Sequence, residues 1–153
     1  MYRLNKKGIF NVPYGGGDRT PEPLWRDNLL INCQRSLKKA KLINCDFEEL
    51  LSKASENDFV YCDPTYTTAH NNNGFIRYNE QNFSWADQKR LSAICKKIAQ
   101  KGATVVVSNA YHYDLKKLYK GAQLYVFDRN SLLCPIPSKR GKTKEFLFVF
   151  TSK

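Results

Sequence analysis

The sequence predicts an α/β fold in which helices flank a partly parallel sheet. Two apolar runs, 58–63 and 103–108, are typical of buried parallel strands. Between them, Ser84-Trp85-Ala86-Asp87 resembles a capping box, and apolar residues then recur on one helical face until Gly102. A strand, a helix and a parallel strand in this order predict a three-layer α/β sheet, and 153 residues suffice for one such domain.

Local patterns predict the remaining elements. Turn residues and a β-prone run predict a hairpin over 3–14. Apolar residues at helical spacing predict an amphipathic helix from Leu24 to Leu37. The last two strands have no helix between them and are expected to form a hairpin. The other predicted elements are a strand over 41–46, helices over 47–54 and 114–119, and strands over 123–128 and 145–151.

The composition favours a polyanionic partner. Lysine and arginine total 25 against 14 acidic residues, a formal charge of +11, and such a surface binds nucleic acid by neutralising phosphates. No apolar run reaches the roughly 20 residues that span a bilayer, and residues 1–7 lack the apolar stretch of a signal peptide. We therefore expect a cytoplasmic protein with no membrane partner. The five cysteines form no CxxC pair and only two histidines are present, which predicts reduced thiols and no metal site.

One tetrapeptide at a predicted strand end carries chemistry. Asp63-Pro64-Thr65-Tyr66 closes the run over 58–63, and open parallel sheets bind ligands at the carboxyl ends of their strands. A carboxylate, a carbonyl next to a proline and an aromatic ring offer two hydrogen-bond acceptors and a stacking face, which suit an amino group on a flat ring. For the tetrapeptide alone, a strand-ending turn with a core tyrosine is the simpler interpretation.

Four segments together resemble a known family. Residues 63–66 look like the D-P-P-Y motif of the amino-methyltransferases that modify exocyclic nitrogens. Residues 3–15 are similar to the R-[YF]-N-x-x-G-x-F-N-V-P-[FY]-G recognition segment of the DNA adenine methylases of the Dam type. Asn44-Cys45-Asp46-Phe47, one short helix before the first apolar run, also matches that family, and residues 140–145 resemble its R-G-K-x-x-E entry to the last strand.

The resemblance implies a fold and a division of the chain. The fold would be a partial Rossmann-like methyltransferase sheet with an N-terminal recognition hairpin remnant. Residues 1–23 would be the C-terminal part of a DNA target-recognition region. Residues 24–153 would be the C-terminal part of an S-adenosylmethionine-dependent methyltransferase domain, with S-adenosylmethionine as methyl donor.

The resemblance also implies roles for individual residues. Asp63 and the Pro64 carbonyl would accept hydrogen bonds from the N6 amino group of an adenine flipped out of the duplex, and Tyr66 would stack on its ring. Asp46-Phe47 resembles the pair that contacts the cofactor's adenine, but an ordinary helix start is an equally good interpretation. The implied catalytic residues are Asp63, Pro64, Thr65 and Tyr66, and the implied cofactor-binding residues are Asp46, Phe47 and Asp63.

Contacts with double-stranded DNA are implied at two places. Arginine and asparagine carry the donors that recognise guanine and adenine edges, whereas basic side chains near the last strand suit phosphates. The loop over 67–80 resembles the family's mobile segment and would close over the flipped base. The implied DNA-binding residues are Arg3, Asn5, Lys7, Asn11 and Pro13 on the hairpin, and Lys139 and Arg140 before the last strand.

The sequence departs from the family pattern in three ways. Thr65 replaces the second proline of the motif, which we expect to alter loop stiffness more than chemistry, and Leu4 replaces an aromatic residue. The lysine-containing motif and the F-x-G-x-G loop that hold most of the cofactor in the family do not occur, and Gly15-Gly16-Gly17 does not substitute for them. We therefore expect a truncated chain whose sheet exposes a long edge and an apolar face. It would bind cofactor poorly unless a missing N-terminal half or a second copy is supplied.

The resemblance therefore implies a site-specific DNA adenine-N6 methyltransferase in truncated form, with GATC or a near relative as its target. The alternative is a catalytically inactive DNA-binding remnant of such an enzyme, which the missing glycine loop favours and the intact tetrapeptide opposes. Methylation of RNA or of a protein amide is the third interpretation, and the recognition segment argues against it.

Overall fold

The structure is a computed structural model that describes residues 7–9, 28–66, 83–130 and 142–152. The chain divides into two compact units, residues 1–44 and 45–153. Most of the hairpin predicted over 3–14 lies outside the described residues. The functional division at residue 23 stays a prediction.

The first unit contains one described helix, α1, over Leu29–Leu37. Its position confirms the helical spacing in this segment, while the predicted start at Leu24 lies outside the described residues. Asn28 precedes the helix with a φ of 55°, in the left-handed region, and its side chain makes no capping hydrogen bond. None of the residues of α1 is buried.

The strand predicted over 41–46 is wrong. The structure assigns no strand to these residues, and Leu42 and Ile43 have 79% and 48% of their surface exposed. A strand forms only where a neighbouring strand satisfies its backbone groups. Asp46 instead begins the next helix.

The second unit opens with a short helix and the first strand. Helix α2 covers Phe47–Leu51, and the carboxylate of Asp46 caps it by accepting a hydrogen bond from the Glu48 N–H at 2.9 Å. This confirms the helix predicted over 47–54, in a shorter form. Strand β1 then covers Phe59–Cys62, within the predicted run.

Helix α3, over Trp85–Gln100, is the longest of the described elements and confirms the predicted capping box. The Ser84 hydroxyl accepts a hydrogen bond from the Asp87 N–H at 3.2 Å, and the Asp87 carboxylate accepts one from the Ser84 N–H at 2.9 Å. After the helix, Gly102 adopts a φ of 100°, and a side chain there would approach Glu56 too closely. Glycine therefore ends the helix at this point, as the sequence predicts.

Three further strands and one helix are described in the second unit. They are β2 over Thr104–Ala110, α4 over Tyr113–Leu118, β3 over Gln123–Asn130 and β4 over Lys142–Phe150. The strand order in the sheet is β1-β2-β4-β3. Strands β1 and β2 are parallel, and β3 and β4 form an antiparallel pair, which confirms both predictions. Strand β4 also pairs antiparallel with β2.

The core lies on one face of this sheet. Val105, Val107, Phe146 and Phe148 point to that face and are at most 4% exposed, packed with apolar residues of α3 and with Leu115 of α4. Helix α2 adds half-buried residues to the same core. The described residues thus give two of the three predicted layers, the sheet and one layer of helices.

The opposite face of the sheet carries exposed apolar side chains. Phe59 and Tyr61 of β1 are 68% and 57% exposed, and Tyr125 and Phe127 of β3 are 42% and 52% exposed. Within the described ranges, β1 pairs only with β2, so its other edge is open. The expected open edge and apolar face are therefore confirmed for these residues. Within the same ranges, no helix has the length and apolarity needed to cross a membrane.

Candidate active site

Asp63 leaves the carboxyl end of β1 beside Ser108 on β2. The parallel register pairs Cys62 with Val107, so the next residue of each strand lies at the same end of the sheet. The Ser108 hydroxyl donates a hydrogen bond to Asp63 Oδ1 at 2.8 Å and lies 3.4 Å from the Cys62 carbonyl oxygen. The hydroxyl has a single proton to donate, and the contact with Asp63 is the shorter of the two. The hydrogen bond to Asp63 is therefore the stronger one. Asp63 is exposed, and its second carboxylate oxygen, Oδ2, is a further acceptor.

Tyr66 is held at its hydroxyl end by Glu145 of β4. The hydroxyl donates a hydrogen bond to Glu145 Oε1 at 2.8 Å across 79 residues of sequence, and both side chains are half-buried. Glu145 pairs with Ala110 in the sheet, two residues beyond Ser108. Two neighbouring strands therefore orient the two ends of the tetrapeptide. The sequence pointed to residues 140–145 through a motif, but it did not indicate that Glu145 binds the tyrosine.

Asp46 and Phe47, the predicted cofactor pair, start helix α2. Asp46 Oδ1 accepts hydrogen bonds from the Glu48 N–H and from Arg90 Nη2, at 2.9 and 2.8 Å. The backbone hydrogen bond first, and then the hydrogen bond from Arg90, lower the pKa of the Asp46 carboxyl below its ordinary value. The Phe47 ring lies 5.7 Å from that of Phe83, centroid to centroid, and 4.8 Å from the Arg90 guanidinium.

A cavity of about 510 Å³ joins these two groups of residues. Its lining includes Asp46 and Phe47 on one side and Asp63, Pro64 and Thr65 on the other. This volume falls in the range of roughly 300–1,000 Å³ that is typical of small-molecule sites. An adjoining cavity of about 260 Å³ shares the Phe47, Asp63 and Pro64 walls and is mainly apolar. Asp63, Pro64 and Thr65 therefore line one space with the predicted cofactor pair, although Asp46 and Asp63 are 17 positions apart in the sequence. Tyr66, the fourth predicted catalytic residue, is not part of the described lining of either cavity.

Cys62, the residue before Asp63, lines the adjoining cavity. The Cys62 thiol hydrogen bonds with the thiol of Cys95 on α3, and this contact lowers the pKa of Cys62 and raises that of Cys95. Both cysteines are free, as are Cys33 and Cys45. The reduced state expected from the sequence stays a prediction.

The structure places only part of the predicted DNA-binding set. Lys7 is exposed in a turn next to Gly8, which has a φ of 75°. Thr65, which belongs to the predicted catalytic residues and not to the DNA contacts, is exposed and lines the larger cavity. The remaining predicted DNA contacts lie outside the described residues, as does the loop over 67–80, and they are Arg3, Asn5, Asn11, Pro13, Lys139 and Arg140.

Several known proteins are similar to this chain. Type II methyltransferase M.MjaIII of Methanocaldococcus jannaschii is 37% identical over 123 residues, which cover 79% of this chain and 42% of that protein. Type II methyltransferase M1.LlaDCHI of Lactococcus lactis is 33% identical over 150 residues, 96% of this chain and 52% of that protein. A DNA adenine methylase of Vibrio cholerae is 32% identical over 152 residues, 99% of this chain and 54% of that protein. The chain thus spans about half the length of the curated relatives it matches.

The family comparison covers most of the chain. The sequence model of the D12 class N6 adenine-specific DNA methyltransferases matches residues 1–131. The four-stranded mixed sheet with its α/β core is consistent with a methyltransferase fold. On these grounds the chain belongs to the D12 class of N6 adenine-specific DNA methyltransferases.

Proposed function

We propose that this chain forms the target-base side of a site-specific DNA adenine-N6 methyltransferase that uses S-adenosylmethionine. One observation carries the proposal: the Asp63 carboxylate, oriented by Ser108, shares a cavity with the aromatic ring of Phe47. At Asp63 the cavity offers a place for the amino group of the target adenine that is to be methylated. At Phe47 it offers a place for the adenine ring of the cofactor. A methyl donor between them would face the target nitrogen.

On the target side, the chain's own residues orient the amino group. Asp63 Oδ2 and the Pro64 carbonyl accept the two N6 hydrogens, which points the nitrogen lone pair into the cavity. Bound S-adenosylmethionine supplies an electrophilic methyl group on its sulfonium. Tyr66, held by Glu145, offers its ring to an adenine that has been unstacked at a cost of a few kcal/mol. Catalysis then rests mainly on orientation and on fixed acceptors, without a covalent enzyme intermediate.

On the cofactor side, the residues present fit an adenosine group. The Phe47 ring is a stacking surface, and Asp46 Oδ2 is an acceptor for a ring amino or a ribose hydroxyl group. Asp46 also caps α2. Under this proposal the same residue serves as the helix cap and as a cofactor contact.

The proposed macromolecular substrate is duplex DNA with GATC or a near relative as its site. Residues 1–44 contain nine basic and three acidic residues, so this unit holds much of the excess positive charge. The predicted recognition residues Arg3, Asn5, Lys7, Asn11 and Pro13 belong to it, and we propose that Lys139 and Arg140 contact phosphates. The logarithm of the DNA association constant should then fall with the logarithm of salt concentration, with a slope of about −0.9 per phosphate contacted. A slope near zero would exclude DNA as the substrate.

The open apolar face supports an additional part of the proposal. We propose that a further polypeptide segment, an N-terminal half or a second copy of this chain, covers the exposed edge of β1 in the active enzyme. An N-terminal half would also supply the glycine-rich cofactor loop that these 153 residues do not contain, whereas a second copy would only cover the edge. Transfer should therefore rise when the N-terminal part of the Vibrio cholerae relative is added. Equal turnover by a monomer of this chain alone would exclude the requirement.

Transfer of a labelled methyl group from S-adenosylmethionine to unmethylated duplex DNA tests the function. The matched variants are Asp63→Asn at the site and Glu56→Gln, an exposed acid at the opposite end of β1. Asp63→Asn should reduce transfer by about 100- to 1,000-fold, because it replaces an oriented anionic acceptor. Glu56→Gln should stay within about twofold of the wild type. DNA binding without transfer in every preparation would instead identify the chain as a DNA-binding remnant.

A further inference from the structure

Arg90 contacts three carboxylates beside the candidate cofactor site. Its Nη2 lies 2.8 Å from Asp46 Oδ1, and its Nη1 lies 3.0 Å from Asp87 Oδ1. Its Nε and Nη2 both donate to Glu48 Oε2, at 3.0 and 2.9 Å. One side chain on α3 therefore fixes both the cap and the first turn of α2, across more than 40 residues of sequence.

The same guanidinium also packs on the aromatic ring of the site. It lies 4.8 Å from the centroid of Phe47, within the range of a cation–π contact. Phe47 and Asp46 both line the larger cavity, whereas Arg90 is absent from the described lining of either cavity that Phe47 lines. Arg90 therefore stands behind the pair, outside the space that a cofactor would occupy.

The arrangement needs the shape of an arginine. Exposed ion pairs contribute little to folding stability, so three of them on a partly exposed guanidinium are better explained by the geometry that they impose. A planar guanidinium reaches several carboxylates and stacks on a ring at the same time, whereas a lysine ammonium is a compact charge that does not.

We propose that Arg90 is a positioning residue for cofactor binding, which holds Asp46 and Phe47 in the orientation that accepts the adenosine end of S-adenosylmethionine. This role rests on the proposed function, because it presupposes that the cavity takes the methyl donor. Without Arg90, the Asp46 and Phe47 side chains become ordered only when the cofactor binds, and this ordering weakens binding. The three carboxylates that Arg90 contacts also lose their common cation.

The charge of the ligand separates positioning from simple electrostatics. S-adenosylmethionine carries a positive sulfonium that its product, S-adenosylhomocysteine, lacks. Removal of a cation near the site would favour the charged ligand and leave the neutral one unchanged if electrostatics alone acted. Loss of positioning weakens both ligands by the same factor, because both carry the same adenosine.

The experiment measures the dissociation constants of both ligands by calorimetry, with the full chain alone and with the N-terminal part of the Vibrio cholerae relative added. The variants are Arg90→Ala, Arg90→Lys, and Lys53→Ala as a control that removes an exposed ion pair of α2 with Glu49. Arg90→Ala should raise both constants about tenfold, because two side chains must be ordered on binding. Arg90→Lys should recover less than half of that loss on a logarithmic scale, and Lys53→Ala should stay within about twofold.

Each other result has a distinct meaning. If the Arg90→Ala variant has the same dissociation constants for both ligands as Lys53→Ala, the positioning role is overturned, but the proposed cofactor site is not affected. Tighter binding of S-adenosylmethionine with unchanged binding of S-adenosylhomocysteine, or full recovery with lysine, would show that Arg90 acts only through its charge and would overturn the positioning role as well. A wild-type chain that binds neither ligand in either preparation would overturn the cofactor site and the role of Arg90 together. Thermal unfolding of each variant identifies one that does not fold, and Arg90→Lys keeps the test decisive in that case.

Discussion

The two faces of the sheet separate stability from chemistry, and adjacent residues of β2 show how. Asn109 points to the covered face and is fully buried, with its Nδ2 donating to Gln88 Oε1 at 3.1 Å. Ser108 points to the other face, where it holds Asp63. Because side chains alternate along a strand, one residue joins the core and the next joins the site. The side chain that joins the core is the one on the face that the helices cover.

The largest expected effect contrasts phenylalanines on the two faces. Phe148 is 1% exposed and stacks on Tyr119 with ring centroids 4.6 Å apart, whereas Phe127 on the paired strand is 52% exposed. Phe148→Ala should lower the free energy of unfolding by about 3–5 kcal/mol, because it leaves a cavity in the core. Phe127→Ala should lower it by less than about 1 kcal/mol. Urea unfolding measures both, and equal losses would mean that the open face is covered in solution.

An intermediate effect sharpens the contrast within β2. Ser108→Ala removes the hydrogen bond to Asp63 at the exposed site, so methyl transfer should fall about tenfold while the free energy of unfolding changes by less than about 1 kcal/mol. Asn109→Ala should have the opposite profile, a loss of about 1–3 kcal/mol of stability, because Gln88 loses a buried partner. Transfer assays and urea unfolding on both variants decide this. Similar profiles for the two variants would contradict the separation.

The sequence predicted the elements whose signals are local. Helix α3 was predictable because its cap, its apolar stripe and its terminal glycine all lie within 84–102. The parallel pair β1–β2 and the hairpin β3–β4 followed from apolar runs and from the connections between them. The strand predicted over 41–46 failed because a short mixed run carries no information about a partner strand. The spacing in α1 predicted a helix, but it did not reveal that its apolar residues stay exposed.

The site shows the same limit more sharply. The tetrapeptide containing Asp63 was predictable from the strand end and the family motif, but its two supports were not. Ser108 is 45 residues from Asp63 and Glu145 is 79 residues from Tyr66, so only the register of the strands brings them together. Arg90 was missed for the same reason, since the helical pattern marks it as one more exposed basic residue. Contacts across a sheet depend on register, which no local pattern encodes.

The smallest expected effect concerns the capping box where α3 begins. Hydrogen bonds from the Ser84 backbone N–H and hydroxyl, and then from Arg90, lower the pKa of Asp87 below its ordinary value of 3.8. A carboxyl with a lowered pKa in the folded state stabilises that state fully above its unfolded pKa, and this contribution is lost as pH falls through the lower, folded value. Asp87→Asn should therefore cost about 0.5–1 kcal/mol at neutral pH, and its difference from the wild type should shrink below about pH 4.

Ser84→Ala removes the hydroxyl partner of the same carboxylate, at 2.8 Å, and its cost should shrink over the same pH range. Urea unfolding at a series of pH values measures both variants against the wild type. A cost of Asp87→Asn that stays constant down to about pH 2.5 would show that the carboxylate contributes through its shape and not through its charge. In that case the cap of α3 would depend on hydrogen bonds that need no charge, like the buried contacts on the covered face of the sheet. A cost that fades with acid instead shows that the charge of the carboxylate supports the cap, through its hydrogen bonds from Ser84 first and then from Arg90.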